Sequence, residues 1–311
     1  MKRQRIGLAL GSGSAKGWSH IGVIDALAEA GIEPDIVCGT SIGALIGAAY
    51  VAGRLDKLRS WAEAATWQDV VSLMDVGLSN GGLLDAKLVV QFLRSLGIDA
   101  PIESYAKPYA AVATDLANGR EIWLQSGPIL EAVRASVSIP GIVSPALNDD
   151  RWLVDGGLTN PVPVSVCRAL GADVIIAVNL NGDLLGRRFD SPRDASNAPS
   201  SAGVSVEFLD RILGPLPAGV RKQAAKILPR LLPEGRSTPG YFDVLANSLN
   251  IMQDQITRAR LAGEPPHVML FPRLRDFGLM DFHRAKEAIA EGRTCVQQSM
   301  PVLRRSIPPI K

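Results

Sequence analysis

Cysteine and histidine are scarce in this chain of 311 residues, with three of each. The cysteines, Cys38, Cys167 and Cys295, are odd in number, far apart and without a C-x-x-C pair. This pattern argues against a disulfide framework or a zinc site and is typical of a reducing compartment. We therefore expect a cytoplasmic protein without a zinc site.

The sequence also lacks a strong excess of charge and a long apolar run. Its 33 Lys and Arg nearly balance 31 Asp and Glu, so the overall charge does not indicate a nucleic-acid partner. The longest uncharged apolar stretch, residues 42–53, is well short of the roughly 20 residues that a membrane-spanning helix needs. Any contact with a membrane is therefore expected to be peripheral.

The order of the apolar segments indicates an α/β fold. A buried strand at residues 6–10 is followed by a glycine-rich loop and a helix over residues 18–30. A second strand at 35–38 then leads into a helix from Ile42. Strands that alternate with helices in this way predict a parallel sheet. Further predicted elements follow, with strands at 110–114, 121–124, 152–154 and 173–179 and helices at 85–96, 128–137 and 163–170.

Composition changes over residues 183–240, where Pro, Ser and Gly cluster. This segment is interpreted as a surface insertion or mobile cap, with helical patterns at 204–213 and 218–232. From Tyr241 the pattern becomes regular again. Residues 241–311 are predicted to complete the domain as helix, strand and helix, over 241–261, 267–271 and about 281–300.

Residues 39–43 match the pattern G-x-S-x-G, with Ser41 between Gly39 and Gly43. The pattern forms a strained turn from strand to helix that exposes a serine hydroxyl, and glycines are needed where neighbouring backbone leaves no room for a Cβ. Alone, the five-residue pattern is weak. Its position after a buried strand and before a helix favours a nucleophilic Ser41 over a structural turn.

The glycine-rich loop reads Gly11-Ser12-Gly13-Ser14-Ala15-Lys16-Gly17. A dinucleotide fingerprint needs glycine where Lys16 stands, and a phosphate-binding P-loop needs Gly-Lys-Ser or Gly-Lys-Thr. The remaining functional interpretation is an oxyanion hole, in which backbone N–H groups converge on a developing negative charge. The expected donors are Gly11, Ser12, Gly13 and Ser14. An ordinary glycine turn is the structural alternative, and the nearby Ser41 pattern favours the oxyanion hole.

A serine hydroxyl is a poor nucleophile unless a base accepts its proton. The chain order Ser41, Asp155, His267 or His283 would suit an α/β-hydrolase triad. However, the serine lies on the second predicted strand, which is early for that arrangement. The third histidine, His20, is expected to pack or hydrogen bond within the first helix.

Asp155 is the better candidate base. It ends a predicted strand and is followed by Gly156 and Gly157, which leave room for a partner or substrate. In an apolar pocket the proton affinity of a carboxylate rises toward the value that serine activation needs. The structural alternative is an Asp-Gly-Gly turn, and on spacing alone the turn is the stronger interpretation.

Together these elements resemble the patatin-like phospholipases, and among them the bacterial members of the neuropathy-target-esterase type. The similar elements are the glycine-rich loop 11–17, the elbow 39–43 and the D-G-G element 155–157, which occur in the expected order. The runs 135–141, 160–163 and 250–254 are also similar, so the resemblance covers almost the whole chain. One departure is Ser12, which stands where many members have glycine.

The resemblance implies one patatin-like domain over residues 1–311, with three α/β/α layers, a mainly parallel sheet and a nucleophile elbow after an early strand. It implies a dyad of Ser41 and Asp155 without a catalytic histidine. Lys16, Gly17, Gly39, Gly43, Gly156 and Gly157 would support its motifs. The implied reaction is hydrolysis of fatty-acyl esters of phospholipids or lysophospholipids through an acyl-enzyme, without a metal or another cofactor.

Two other functions stay open at this point. One is a soluble carboxylesterase or thioesterase with the same dyad, and the other is a non-catalytic regulatory protein at a membrane. The basic and apolar pattern within residues 204–232 is consistent with an interfacial helix, and a solvated lid helix is equally expected. With such a helix the protein would be peripheral on the inner membrane.

Overall fold

The computed structural model describes residues 3–73, 75–76, 84–182 and 241–307. The chain divides into two compact units, one formed by Met1–Asp183 with Met252–Lys311 and the other by Leu184–Ile251. The predicted insertion 183–240, with its helical patterns at 204–213 and 218–232, lies outside the described residues. Its boundaries and the expected single domain therefore stay predictions.

The described part of the first unit contains a sheet of eight strands and a separate antiparallel pair. In chain order the strands are β1 (Ile6–Leu10), β2 (Ile36–Thr40), β3 (Asp75–Val76), β4 (Leu84–Asp85), β5 (Tyr109–Asp115), β6 (Glu121–Leu124), β7 (Ala146–Asn148), β8 (Arg151–Asp155), β9 (Val174–Val178) and β10 (Val268–Leu270). The order across the sheet is β10-β9-β1-β2-β5-β8-β7, with β6 paired to β5. The first five of these strands are parallel to one another, which confirms the predicted mainly parallel sheet.

Helices cover both faces of this sheet. They are α1 (Ser19–Glu29), α2 (Ile42–Val51), α3 (Leu55–Ala64), α4 (Trp67–Ser72), α5 (Lys87–Ser95), α6 (Ile129–Ser136), α7 (Val164–Ala169), α8 (Tyr241–Gly263) and α9 (Ala285–Ser306). Short 3-10 helices lie at Ser14–Trp18, Ile102–Ser104, Gly156–Leu158 and Phe282–Arg284. In the described ranges, no helix combines the length and apolar character that crossing a membrane requires.

The strands read as continuous apolar runs because both of their faces are buried. In β1, Leu8 and Leu10 join a large apolar cluster with α1, α2, α6 and α9. Ala9, between them, points to a second cluster, which contains residues of α7 and Leu261 near the end of α8. This alternation produces the three α/β/α layers that the resemblance implies.

Two of the differences from the expected element boundaries have a specific structural reason. The helix expected from Trp18 begins one turn earlier, as the 3-10 helix Ser14–Trp18, because the Lys16 amide donates to the Gly13 carbonyl oxygen. Asp85, at the start of the helix expected over 85–96, instead pairs with Asp75 in the two-stranded sheet, and Ala86 precedes α5. Both differences arise from backbone contacts that the spacing of apolar residues along a helix does not reveal.

Helices α1 and α9 approach each other closely through two glycines. A Cβ on Gly22 would lie 1.9 Å from the Ile289 carbonyl oxygen, and a Cβ on Gly292 would lie 2.0 Å from the Ser19 carbonyl oxygen. Backbone atoms of packed helices cannot move aside as a flexible side chain can. The contact therefore requires glycine within both helices, although glycine lowers helix propensity.

We predict that Gly292→Ala lowers the free energy of unfolding by about 1–3 kcal/mol, because the added methyl group overpacks this contact. Gly263→Ala at the end of α8 is the matched control, since a Cβ there meets no atom within 4 Å. Urea unfolding followed by circular dichroism measures both variants. Equal stability of the two variants would contradict the close contact between α1 and α9.

Candidate active site

Strand β5 brings Ser41 and Asp155 together from distant parts of the chain. Thr40, the last residue of β2, pairs with Val112, and Asp155, the last residue of β8, pairs with Ala113. Because β6 occupies the other edge of β5 at both positions, β2 and β8 share one edge. The residue that follows β2 therefore meets the end of β8.

Ser41 forms a sharp turn between β2 and α2. Its φ of 58° and ψ of −125° are strained for a residue with a side chain, as expected for a serine at a strand-to-helix elbow. The flanking glycines allow the turn to close. A Cβ on Gly39 would lie 2.4 Å from the Ala44 amide nitrogen, and a Cβ on Gly43 would lie 2.2 Å from the Leu10 carbonyl oxygen.

The Ser41 hydroxyl donates a hydrogen bond of 2.5 Å to Asp155 Oδ2. Both residues are buried, with 4% and 2% of their surfaces exposed. The other carboxylate oxygen, Asp155 Oδ1, accepts from the Gly157 amide at 2.7 Å. One oxygen is thus fixed by backbone, and the other is directed at the serine.

Burial changes the chemistry of the Asp155 carboxyl group. Desolvation raises its pKa from 3.8 to about 6, although the hydrogen bonds from Ser41 and Gly157 oppose this rise. A carboxylate with this pKa is a stronger base than one in water and is still ionised at neutral pH. The carboxylate can therefore accept a proton from Ser41.

Ser136, the last residue of α6, and Ser138, two residues later, hold the backbone of this pair. Ser136 Oγ accepts from the Ser41 amide at 2.8 Å and donates to the Val112 carbonyl oxygen at 2.6 Å. The Ser138 carbonyl oxygen accepts from the Asp155 amide at 2.9 Å. The run 135–141 was part of the resemblance, but its pattern did not reveal that it supports both residues.

The glycine-rich loop lies beside this pair, and its structure corrects half of the predicted oxyanion hole. The Gly11 amide donates to the Val178 carbonyl oxygen at 3.1 Å, and the Ser12 amide donates to the Pro161 carbonyl oxygen at 2.8 Å. The prediction that these two amides face substrate is therefore wrong, because both are already used in the fold. Within the described ranges, the Gly13 and Ser14 amides have no backbone acceptor.

Other motif residues fix the loop and the D-G-G turn. A Cβ on Gly17 would lie 2.1 Å from the Ile42 side chain, and a Cβ on Gly156 would lie 2.2 Å from the Val112 carbonyl oxygen. Lys16 is buried, and its ammonium group lies 3.4 Å from the Leu180 carbonyl oxygen and from Asn181 Oδ1. These contacts give structural reasons for the residue types that the sequence patterns contain.

None of the three histidines lies between Ser41 and Asp155. His267 precedes β10 and accepts from the Ile175 amide, at the amino ends of parallel strands, whereas Ser41 follows the carboxyl end of β2. The His283 ring packs against Trp67. His20 Nε2 lies 2.8 Å from the Gly11 carbonyl oxygen, and burial lowers the pKa of His20 to about 4, so its ring is neutral.

An apolar cavity of about 160 Å³ opens beside Ser41. Ser14 and Ser41 are the two hydroxyl residues among its described lining, and the other lining residues are aliphatic or aromatic. Its walls include Ile42 and Leu45 of α2, Leu58 and Trp61 of α3, Val89 and Phe92 of α5, Ile139 and Ile142 of the loop after α6, and Met280 and Phe282 near α9. Such a lining suits a hydrocarbon chain. Sequence periodicity did not reveal this cavity, because its lining comes from separate elements.

Across the described ranges, no group of three or more His, Cys, Asp and Glu is placed to hold a metal ion. The chemistry available at the site is that of a hydroxyl group, a buried carboxylate and backbone amides beside an apolar cavity.

The fold and site define the chain as an α/β protein with a serine at a strand-to-helix elbow and a buried carboxylate within hydrogen-bonding distance. The family model for patatin-like phospholipases matches residues 8–168 of this chain. An uncharacterised NTE family protein of Mycobacterium tuberculosis is 34% identical over 95% of this chain and 91% of its own length. The chain therefore belongs to the patatin-like phospholipase family, and this membership implies a lipid ester hydrolase.

Two further relatives match 56% of the chain. The human patatin-like phospholipase domain-containing protein 6 is 34% identical over 182 residues, which cover 56% of this chain and 13% of that protein. A Caenorhabditis elegans patatin-like phospholipase domain-containing protein is 36% identical over the same shares. The crystal structure of VipD from Legionella pneumophila is a distant likeness, with 13% identity and a TM-score of 0.45 over 98% of this chain and 67% of that chain.

We predict that Asp155→Asn stabilises the protein at pH 8 by about 3 kcal/mol, because it removes a buried charge. Since the folded-state pKa is raised from 3.8 to about 6, the stability contribution of Asp155 is complete below pH 3.8 and is lost as the pH rises through 6. The gain should therefore disappear toward pH 4. Urea unfolding of both proteins across this range measures the difference, and a loss of stability at pH 8 would contradict the assigned pKa.

Proposed function

We propose that this protein hydrolyses fatty-acyl esters of phospholipids or lysophospholipids, with Ser41 as nucleophile and Asp155 as general base. The observation that carries the proposal is the hydrogen bond from Ser41 Oγ to the buried Asp155 Oδ2, at the edge of an apolar cavity that contains Ser41 in its lining. Family membership supports the ester bond as the target. The apolar lining of the cavity supports a fatty-acyl chain as the acid part of that ester.

In the first half of the reaction, Ser41 Oγ attacks the ester carbonyl carbon while its proton passes to Asp155 Oδ2. The carbonyl oxygen becomes negatively charged, and we assign the Gly13 and Ser14 amides as its hydrogen-bond donors. Helix α2 begins directly after Ser41. The positive end of its dipole therefore also favours the negative charge on this oxygen. When the tetrahedral intermediate collapses, the ester bond breaks and Asp155 returns the proton to the leaving alcohol.

The second half repeats this chemistry with water. Asp155, again ionised, accepts a proton from a water molecule that attacks the acyl-Ser41 ester. Collapse of the second intermediate releases the fatty acid and returns the proton to Ser41. Neither half needs a histidine, because the carboxylate contacts the serine directly and its pKa is raised to about 6.

The lipid itself is the proposed partner, and the predicted peripheral contact with a membrane through 204–232 would bring the site to it. That segment lies outside the described residues, so the contact and the cytoplasmic location stay predictions. A soluble esterase or thioesterase with the same dyad differs in one measurable respect. Its activity would not depend on whether the ester is presented in vesicles or micelles.

We predict that Ser41→Ala and Asp155→Asn each lower the release of fatty acid from phosphatidylcholine vesicles and lysophosphatidylcholine micelles. The expected loss is about 10³-fold or more for Ser41→Ala and about 10²–10⁴-fold for Asp155→Asn, the usual contributions of a nucleophile and a general base. Fatty-acid release is measured by mass spectrometry.

The matched controls are Ser104→Ala and Asp149→Asn, because both residues are exposed and outside the site. They should keep wild-type activity. Full activity in Asp155→Asn would contradict the dyad. Activity on a dispersed short-chain ester alone, with no release from vesicles or micelles, would instead identify a soluble esterase.

An aromatic pair in the cavity wall provides a second test. Trp61 packs on Phe92 with ring centroids 4.4 Å apart, and both rings line the cavity. Trp61→Ala should enlarge the space for the acyl chain and raise the ratio of kcat/KM for a long over a short acyl ester by about tenfold. Trp152→Ala is the control, because Trp152 is 51% exposed and does not line the cavity. An unchanged ratio in Trp61→Ala would show that the acyl chain binds elsewhere.

A further inference from the structure

One side-chain amide outside the dyad connects two segments beside the active site. Gln253 Oε1, on α8, accepts a hydrogen bond from Ser12 Oγ at 2.9 Å and a second from Asn181 Nδ2 at 2.9 Å. Ser12 is a residue of the glycine-rich loop, and Asn181 follows β9. A single oxygen atom thus joins parts of the chain that are far apart in sequence.

The second donor, Asn181, is itself held in place. The backbone amide of Asn181 donates to Asn179 Oδ1 at 2.9 Å, and Asn181 Oδ1 lies 3.4 Å from the Lys16 ammonium group. Gln253 therefore contacts the glycine-rich loop directly through Ser12 and indirectly through Asn181 and Lys16. Ser12 and Lys16 lie on either side of Gly13 and Ser14, the two residues whose amides are proposed to bind the oxyanion.

The nitrogen of the same side chain reaches the other half of the site. A Cβ on Gly157 would come within 2.3 Å of Gln253 Nε2 and within 2.9 Å of Asp155 Oδ1. Both atoms therefore border the same small space beside Gly157. The Gly157 amide is the donor that orients the Asp155 carboxylate, so Gln253 lies against both the loop and the D-G-G turn.

We infer that Gln253 is a positioning residue that fixes the glycine-rich loop, through Ser12 and Asn181, in the arrangement that directs the Gly13 and Ser14 amides at the substrate carbonyl. The inference rests on the proposed function. It also explains why serine is tolerated at position 12, where the resemblance leads one to expect glycine. The Ser12 hydroxyl is buried, and Gln253 supplies the acceptor that a buried hydroxyl needs.

The chain path gives the contact a further consequence. Asn181 precedes and Gln253 follows the segment Leu184–Ile251. Their hydrogen bond therefore joins the two places at which the chain leaves and re-enters the first unit.

The test compares the wild type with Gln253→Met, Ser12→Ala and the double variant. Two rates are measured, the hydrolysis of a dispersed short-chain acyl ester and the phosphonylation of Ser41 by a fluorophosphonate. Gln253→Met should lower kcat about tenfold to a hundredfold with KM nearly unchanged, because a displaced donor is felt only when charge develops on the oxygen. Phosphonylation should slow by a similar factor.

Ser12→Ala should change both rates in the same direction by a smaller factor, since it leaves the contact between Gln253 and Asn181. The double variant should be no slower than Gln253→Met, because both substitutions remove one shared hydrogen bond. Gln255→Met is the matched control on the same helix, because Gln255 is exposed. Its rates should match the wild type.

Several outcomes would overturn the inference. These are wild-type rates in a folded Gln253→Met, additive losses in the double variant, or a rise in KM without a fall in kcat. If Gln253→Met does not fold, wild-type rates in Ser12→Ala would contradict it equally. Failure of the proposed function is distinguishable, because a wild type that reacts with fluorophosphonate but hydrolyses no acyl ester refutes the function, while the labelling rates still test the loop.

Discussion

One edge of β5 pairs with β2 as far as Val112 and with β8 from Ala113 onward, and the contact between Ser41 and Asp155 depends on this change of partner. A parallel strand that ends in a sharp turn leaves the edge of its neighbour unpaired beyond that turn. Here an antiparallel strand occupies the vacant edge, and its last residue is the aspartate. The sheet therefore brings Ser41 and Asp155 together through backbone pairing, before any side chain is considered.

Burial of this pair has opposite effects on stability and on chemistry. Removing the Asp155 carboxylate from water raises its pKa to about 6, which costs stability at neutral pH and makes the group a better base. The surrounding backbone limits the cost, since Gly157 donates to one carboxylate oxygen and Ser41 to the other. The strained φ of Ser41 is a second local cost, which its hydrogen bond to Ser136 helps to offset.

Sequence patterns predicted the features that depend on neighbours along the chain. The alternation of strands and helices predicted the parallel sheet, and the pattern around Ser41 predicted the elbow, because glycine at positions 39 and 43 reflects local crowding. Asp155 depended on the family resemblance, since its contact with Ser41 requires a strand pairing that spacing does not show. Whether an amide in the glycine-rich loop is already bonded depends on residues such as Pro161 and Val178. The loop sequence alone therefore suggested four donors, whereas two of them, the Gly13 and Ser14 amides, lack a backbone acceptor in the described part of the chain.

The pH dependence of Ser41 phosphonylation tests the central claim most directly, because it reports on the dyad without assuming a substrate. For the wild type, the second-order rate constant should be half-maximal near pH 6 and level above it, as Asp155 ionises. Asp155→Asn should react at least about 10²-fold more slowly, with no inflection near pH 6. A wild-type rate that does not change between pH 5 and pH 7, or an Asp155→Asn variant that reacts as fast as the wild type, would contradict the account.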